Sequence, residues 1–495
     1  MFCDETKDIA RKTKGVVIRN DGPPALSSVS GPIEHEFVDC TEEIISTTPT
    51  QHEPFIRSRS SSSLQHSIAR LLSFRIDDLA MGLFFTHYVV NGNDFSDAPP
   101  SNDPAVRGMY SSMKAIGLGG LSAFNRDERL RKQAREQYAL AIVSTNAALR
   151  NIETAKLDST LLTVLLLGTF ESMASNSSRS LDYWISHING AASLLSLRSN
   201  RDLANPHTAR LCIQVAAHVM VLCLVQGIAL PKVVLDQQHF FSQHVRTDNP
   251  VWKYQTYIAR LTNFRASVKQ GQIQDPVQIL GECAILDSLF NSLITSRFQP
   301  GWSYEVVEVD NAGEELYSGR YHVYENEIAH QTWNGLRCMR ILINEMILDC
   351  LTKRPGASSP ERQAISTRIL LAMQDDILSS VPQSLGFTSS SSKGPEKLQC
   401  TSGNDAQLRM TFPWLNFDNN NFNLADTSVS SPLPWIRAWG GYTIMWPLYT
   451  AGSTIVASDA SREWAIKALR TYEKQTGTQQ AAFFANMMES NVKLR

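Results

Sequence analysis

The chain has 495 residues, 43% of them hydrophobic and 19% charged, and its 46 basic and 48 acidic side chains leave a net charge of -2. That length exceeds one compact core and predicts two or three lobes or one large stacked-helix domain, since domains hold about 100–200 residues. The balanced charge argues against DNA binding by this chain alone, because neutralising phosphates takes a basic excess.

None of the eight cysteines (Cys3, Cys40, Cys212, Cys223, Cys283, Cys338, Cys350 and Cys400) stands in a C-x2-C pair, and most lie in apolar stretches. They read as reduced, buried thiols of an intracellular protein, with neither a disulfide frame nor a metal site. The polar start Met1-Phe2-Cys3-Asp4-Glu5-Thr6 lacks the apolar region of a signal peptide. The most apolar run, Leu161–Phe170, is too short to span a bilayer. A soluble protein with no membrane association is expected.

Residues 1–63 read as a disordered linker, rich in Ser, Thr and Pro from about residue 20 and ending in Arg57-Ser58-Arg59-Ser60 and three further serines. From Leu64 the apolar residues Leu64, Ile68, Leu71, Leu72, Ile76, Leu79, Leu83 and Val90 recur at three- and four-residue steps, predicting a long amphipathic helix. A break containing Pro and Gly is expected over about 99–120. Asp127–Arg150 is the next predicted helix. Its Arg129, Arg131, Lys132 and Arg135 read as a hydrated face offset by Glu128 and Glu136, with contact to an acidic partner as the alternative.

Asp158-Ser159 reads as an N-cap. It opens Thr160–Met173, a helix apolar around nearly its whole circumference, which must therefore be enclosed by other helices. Further helices are predicted at 180–197, 206–225, 250–268, 276–296, 320–351 and 360–379, several opening on proline, which suits a first helical position. Residues 385–434 read as a flexible insert. The chain resumes as a helix over Trp435–Ala457, kinked or broken at Pro447, and closes with helices near 461–473 and 479–492. Alternating strands are scarce, Tyr304–Val309 being the clearest. The fold class is all-α.

Four segments, taken together and in order, resemble one family: the fungal-specific transcription factor domain that forms the regulatory region of Zn2Cys6 zinc-cluster transcription factors. The first is Asp158–Glu171, DSTLLTVLLLGTFE, followed by Trp184, His187, Gly190, Ala191, Ala192, Leu194, Leu195 and Arg198. The family pattern is D-x-x-L, an apolar helix ending in F/Y-E, then W-x-x-H-x-x-G-A-x-x-L-L-x-x-R-G. Ser199 replaces its last glycine. The others are Thr332–Leu348 (TWNGLRCMRILINEMIL), Gly440–Gly452 (GGYTIMWPLYTAG) and Gly82–Val89 (GLFFTHYV).

The resemblance implies a large multi-helix regulatory domain over 64–384, with the C-terminal helices of 435–495 packing on it. It also implies a nuclear regulator of transcription controlling a metabolic or secondary-metabolite gene set. The departure is at the front, where no cysteines match the zinc cluster. Phe2-Cys3-Asp4-Glu5-Thr6, with Lys12 and Lys14, resembles the element that follows a cluster in the family. The chain would then begin just after the cluster's place, the cluster being either lost or encoded upstream. On this reading promoter DNA is a partner only through that missing or upstream cluster, and zinc is a cofactor only there. Homo- or heterodimerisation and a small-molecule effector are the other implied partners. The alternative is a cofactor or inhibitor without a zinc cluster that pairs with a complete family member.

Independently of that resemblance, Gly190, Ala191 and Ala192 are small enough to let a neighbouring helix approach. Trp184 and His187 share a helix face, and His187 reads as a hydrogen-bonded interior histidine rather than a switch or ligand. Arg337, Arg340, Asn344 and Glu345 read as an internal polar network, with an effector pocket as the alternative. Trp435, Trp439, Tyr442, Trp446 and Tyr449 form an aromatic stripe expected in the core.

No G-x-S-x-G, H-E-x-x-H, G-x-x-x-x-G-K-[ST] or G-x-G-x-x-G occurs. Gly117-Leu118-Gly119-Gly120 reads as a helix break, and Asp77-Asp78 and Asp375-Asp376 as adjacent acids pointing to different faces. No catalytic, cofactor or metal residue is assigned, and an enzyme is not expected.

Overall fold

The computed structural model describes residues 76–90, 102–174, 180–244, 250–295, 302–309, 316–325, 327–353, 359–385, 435–436, 444–476 and 478–490. These form sixteen α-helices, one 3-10 turn and four short strands in two pairs, an all-α architecture. The linker read at 1–63, the helix start at 64–75 and nearly all of the insert read at 385–434 lie outside the described residues.

Helices α1 (Ile76–Tyr88), α2 (Pro104–Asn125) and α3 (Glu128–Ala148) open the body. The break expected over 99–120 is absent from 104–120, while 99–101 lie outside the described residues. Asp103 caps α2 by accepting from the Ala105 amide, proline occupies its first turn, and the helix runs unbroken to a left-handed Arg126. The glycines inside it serve contact between helices. A Cβ on Gly117 would lie 1.9 Å from the Ala80 carbonyl oxygen of α1, and one on Gly120 would lie 2.4 Å from a Leu83 methyl. The helix tolerates glycine, at about 1 kcal/mol each, because no other residue lets α1 sit so close.

After the short α4 (Ile152–Ala155) comes α5 (Asp158–Ala174). Its Leu161, Leu162, Val164, Leu165, Leu166, Leu167 and Phe170 are all buried, as an all-round apolar helix requires. It packs against α2, α3, α6 (Ser180–Leu195) and α8 (Pro206–Gln226), with the one-turn α7 (Asn200–Leu203) between the last two. Thr208–Gln226 is apolar and long enough to cross a bilayer, yet 72% of it is buried inside the protein. Here it is a core helix.

The middle of the chain supplies α9 (Lys232–Ser242), α10 (Pro250–Lys269) and α11 (Pro276–Thr295). Pro276–Thr295 passes the same length and composition test as α8, with 33% buried. Helix α9 escaped the sequence reading, since only Val234, Gln237 and Phe241 of it are buried.

Residues 320–351 depart from their predicted helix. Arg320–Tyr324 is strand β3, paired antiparallel with β2 (Tyr304–Glu308), and the helix α12 starts only at Glu327 and runs to Lys353. The alternation Tyr321, Val323 against His322, Tyr324 suits a strand better than a helix. Helix α13 (Pro360–Ser384) follows, capped by Ser359. A two-residue strand β4 (Trp435–Ile436) pairs with β1 (Val89–Val90).

The helix predicted across 435–457 is shorter, at α14 (Met445–Ser453). Pro447 sits in its first turn, where no i−4 bond is lost, so it starts the helix instead of kinking it. Helices α15 (Asp459–Thr476) and α16 (Gln479–Glu489) close the chain. They touch both ends of the body: α16 meets α5, α15 meets α2, and α14 meets α12 and α13. Among the described residues the main apolar core runs from Ala80 to Met488, with Ala141, Ile142 and Leu167 forming a small second cluster.

Candidate functional site

Two places gather the side chains that the sequence singles out. The first is the junction of α5, α6 and α8. Trp184 and His187 flank Gly168 of α5, where an added Cβ would stand 3.3 Å from the His187 Cβ and 3.7 Å from the Trp184 ring. Gly190, Ala191 and Ala192 are buried on α6. His187 is interior as expected, but its Nδ1 has no hydrogen-bond partner among the described residues. Burial alone pushes its pKa down to about 4, so the imidazole is neutral.

Asp158 does not cap α5 in the manner predicted. One of its carboxylate oxygens accepts from Arg198 Nη1 at 2.6 Å and the other from Thr208 Oγ1 at 2.7 Å. The first and last residues of the quoted 158–198 pattern are thus joined in a clasp. With the Arg198 side chain 4% exposed, the clasp lies largely out of water and fixes α5, the end of α6 and the start of α8 relative to one another. Toward the other end of α5, Tyr138 stacks on Phe170 at 4.6 Å and donates to the Glu171 carboxylate. Burial raises the pKa of Glu171 above the usual carboxylate range.

The second place is the hairpin β2–β3 against α12 and α13. At its centre Arg337, 1% exposed, donates through Nη1 to Tyr324 Oη at 2.6 Å and to Asn334 Oδ1 at 2.9 Å. Its guanidinium stands 5.2 Å from the Tyr304 ring centre, 5.9 Å from that of Tyr324 and 5.7 Å from that of Trp333. These are cation–π distances. Its Nε is 3.7 Å from Asp376.

A buried guanidinium is costly unless it is paired. Here burial acts against the charge, while Tyr324 and Asp376 outweigh it and raise the pKa above that of an ordinary arginine. Around it, His322 Nδ1 and Tyr324 Oη are 3.1 Å apart. His330 Nε2 lies within hydrogen-bond reach of the Ser380 carbonyl and the Asn334 amide. Gln383 of α13 clamps β3 by accepting from the Tyr324 amide and donating to its carbonyl. Burial, then the charges of Arg337, Arg320 and His330, push His322 down to about 3, and burial chiefly pushes His330 down to about 4.

The quartet Arg337, Arg340, Asn344 and Glu345 therefore does form internal polar contacts, but they divide among three neighbours. Arg337 serves the hairpin and α13. Arg340 holds Asp287 of α11 through two bonds of 2.9 Å and also donates to Asn291, and Asn344 donates to the same Asp287. Glu345 accepts from the Ile455 amide beyond α14.

Asp375 and Asp376 are not turned apart, since both carboxylates approach Arg320, at 3.9 and 3.5 Å. Of the aromatic stripe, Trp446 and Tyr449 pack with Phe484 as core. Trp435 lies in β4, and Trp439 and Tyr442 fall outside the described residues.

Asp287, Tyr324, Ser380 and Gln383 escaped the sequence reading, for they lie 13 to 59 positions from the residues they serve, and His322 escaped it because its partner Tyr324, two positions on, was itself read as helical. Asn334 was visible inside the W-N-x-x-R segment. The basic face of α3 is a hydrated surface, in which Arg129 pairs with Asp127 and Arg131 with Glu128.

Five cysteines are described, Cys212, Cys223, Cys283, Cys338 and Cys350. All are buried and none is in a disulfide, and burial raises Cys223 to about 11 and Cys212, Cys283 and Cys338 to about 12. No group of three or more His, Cys, Asp or Glu suited to a metal occurs among the described residues. An open cleft of about 410 Å³ lies between α1, α2 and α3, lined by Ile76, Asp77, Lys114, Leu118, Gln133, Glu136 and Gln137. The Lys114–Asp77 ion pair, at 2.8 Å, stands in its wall.

Residues 95–229 match the family model of the fungal specific transcription factor domain. The matched stretch carries α2 to α8, including the Asp158–Arg198 clasp and the Trp184–His187 contact. The segments 332–348 and 440–452 lie beyond it. No curated protein and no solved structure matches the chain. The match points to a regulator of transcription.

Proposed function

We propose that this chain, carrying a fungal specific transcription factor domain, is a nuclear regulator that acts on a metabolic or secondary-metabolite gene set. The match over 95–229 carries the reading. The way the domain uses its polar residues supports it. Asp158, Arg198, Arg337, Arg340 and Asp287 hold helices to one another, as a scaffold for association requires.

In this proposal residues 64–384 and 435–495 act as one regulatory unit, and promoter DNA is reached through a zinc cluster outside this chain or through a complete relative with which it pairs. Dimerisation and a small-molecule effector belong to the same reading. The chain itself needs no cofactor for this role.

The test is transcript profiling after deletion of the gene. A coherent set of metabolic transcripts should change, and an unchanged transcriptome would refute the proposal. Purified chain should show no salt-dependent affinity for duplex DNA, and tight sequence-specific binding by it would contradict the division of labour.

A further inference from the structure

Helix α11 is apolar enough to pass for a membrane span, yet only 33% of that stretch is buried in the body. Its residues Val277, Gly281, Ala284, Ile285, Ser288 and Ser292 are all exposed, and their spacing puts them on one helix face. Val277 is 77% exposed and Ile285 49%. A surface helix ordinarily turns charged residues outward; this face carries none. The two acids of the helix flank the face and are held by neighbouring helices. Glu282 accepts from Arg260 of α10 at 2.6 and 2.8 Å, and Asp287 accepts from Arg340 of α12 through two bonds of 2.9 Å.

Gly281, at the centre of the face, adds a second observation. Glycine weakens a helix interior. Gly117, Gly120, Gly335 and Gly452 are explained by contacts within the chain, since a Cβ on each would lie within 2.4 Å of a neighbour. A Cβ on Gly281 would meet nothing within 4 Å. Its smallness serves no contact among the described residues, but it leaves a notch between Val277 and Ile285 that admits another backbone.

An exposed apolar face free of charge marks a protein contact, and its pattern says which protein. Val277 and Ile285 stand four residues either side of Gly281. When two copies cross antiparallel about a two-fold axis at Gly281, Val277 of each meets Ile285 of the other, and the glycines meet at the closest point. With no charge on the face, like meets like without repulsion. Alongside, Arg362 of α13 donates to the Leu280 carbonyl at 3.3 Å, which brings the first turns of α13 to the flank of α11. Ile365, one turn on, is 45% exposed and adds apolar surface there. A bilayer is a poorer occupant, because it would have to take up the flanking ion pairs. A helix about 30 Å long and about 10 Å wide offers about 300 Å² per copy, the size of a weak, reversible contact.

We infer that the outward face of α11 pairs with the same face of a second copy, in an antiparallel two-fold contact centred on Gly281. The contact gives the dimerisation within the proposed function a location. Self-association is measured without reference to transcription, so its failure would leave that function standing.

Sedimentation velocity of the full-length chain, from about 1 to about 100 µM, tests it. The wild type should pass reversibly from monomer toward dimer across that range. Gly281→Gln should raise the dissociation constant about tenfold or more. The melting temperature of the monomer should stay the same or rise, because the position faces open space and loses a helix-weakening glycine. Ile285→Glu should weaken pairing further by setting a carboxylate against Val277 of the other copy. Adding Val277→Lys to the same chain should restore the dimer, since the introduced lysine and glutamate meet across the axis. A chain that stays monomeric throughout would overturn the inference, as would a dimer indifferent to Gly281→Gln and Ile285→Glu or a failed rescue. Flotation with phosphatidylcholine vesicles in place of a dimer would overturn it too, in favour of a bilayer.

Discussion

The two halves of the molecule hold their helices together by different means. Around α5 the work is done by shape. Gly117, Gly120 and Gly168 let helices touch, seven apolar side chains of α5 are enclosed, and the Asp158–Arg198–Thr208 clasp is the main polar fastening. Around α12 it is done by polar and aromatic groups that meet from four elements on one arginine. Apolar packing adapts to small changes of volume, whereas a buried cation tolerates the loss of no partner. The first half should therefore fail gradually on mutation and the second abruptly.

The strongest challenge to that contrast is Arg337→Met. It leaves Tyr324 and Asn334 without their cation and Asp376 with Arg320 alone, and a loss of about 3–5 kcal/mol is expected, read as a lower urea midpoint. A cost below 1 kcal/mol would show that the centre is incidental. Leu166→Ala in α5 should cost about 2–5 kcal/mol but keep a cooperative transition, measured by calorimetry. Gly117→Ala puts a methyl into the Ala80 carbonyl and should cost about 1–3 kcal/mol. Local exchange should report α1 lifting while α12 stays protected.

Acid sharpens the comparison further. His187, His218 and His330 are held down at about 4 and His322 at about 3, burial being the chief cause in each. In the unfolded chain they titrate near 6.5. Below that pH the unfolded state binds more protons, so their contribution is full above about 6.5 and is lost as pH falls toward 4. Each histidine should remove about 1.4 kcal/mol per pH unit inside that window. His322→Gln with His330→Gln should make the dependence shallower, as followed by urea melts between pH 7 and pH 5. The smallest effect belongs to the surface of α3, where Arg131→Ala should change stability by less than about 0.5 kcal/mol.

The same contrast explains what could be read from the chain alone. Helix α5 was legible because its enclosure is written in one contiguous apolar run, and the proline-started helices at Pro206, Pro250, Pro276 and Pro360 because their start signal is local. Glycines misled at 117–120, since a residue that breaks an exposed helix is also the one that permits a close crossing. Pro447 misled for a similar reason, its meaning being set by where the helix begins. The hairpin and the Arg337 centre were only half legible. Arg337 and Asn334 stood in a recognisable segment, but Asp376, Ser380 and Gln383 join them only through the packing of α13 on α12, and no local spacing encodes that.

The most direct measurement of the central claim, that this helical body is a scaffold through which transcription is regulated, is a tethered reporter. The full-length chain is fused to an unrelated sequence-specific DNA-binding module, and output from a promoter carrying that module's site is recorded. Tethering should change reporter output, Arg337→Met should weaken the change as it weakens the fold, and Arg131→Ala should leave it intact. An unaltered reporter, or an effect that survives loss of the folded body, would contradict the account.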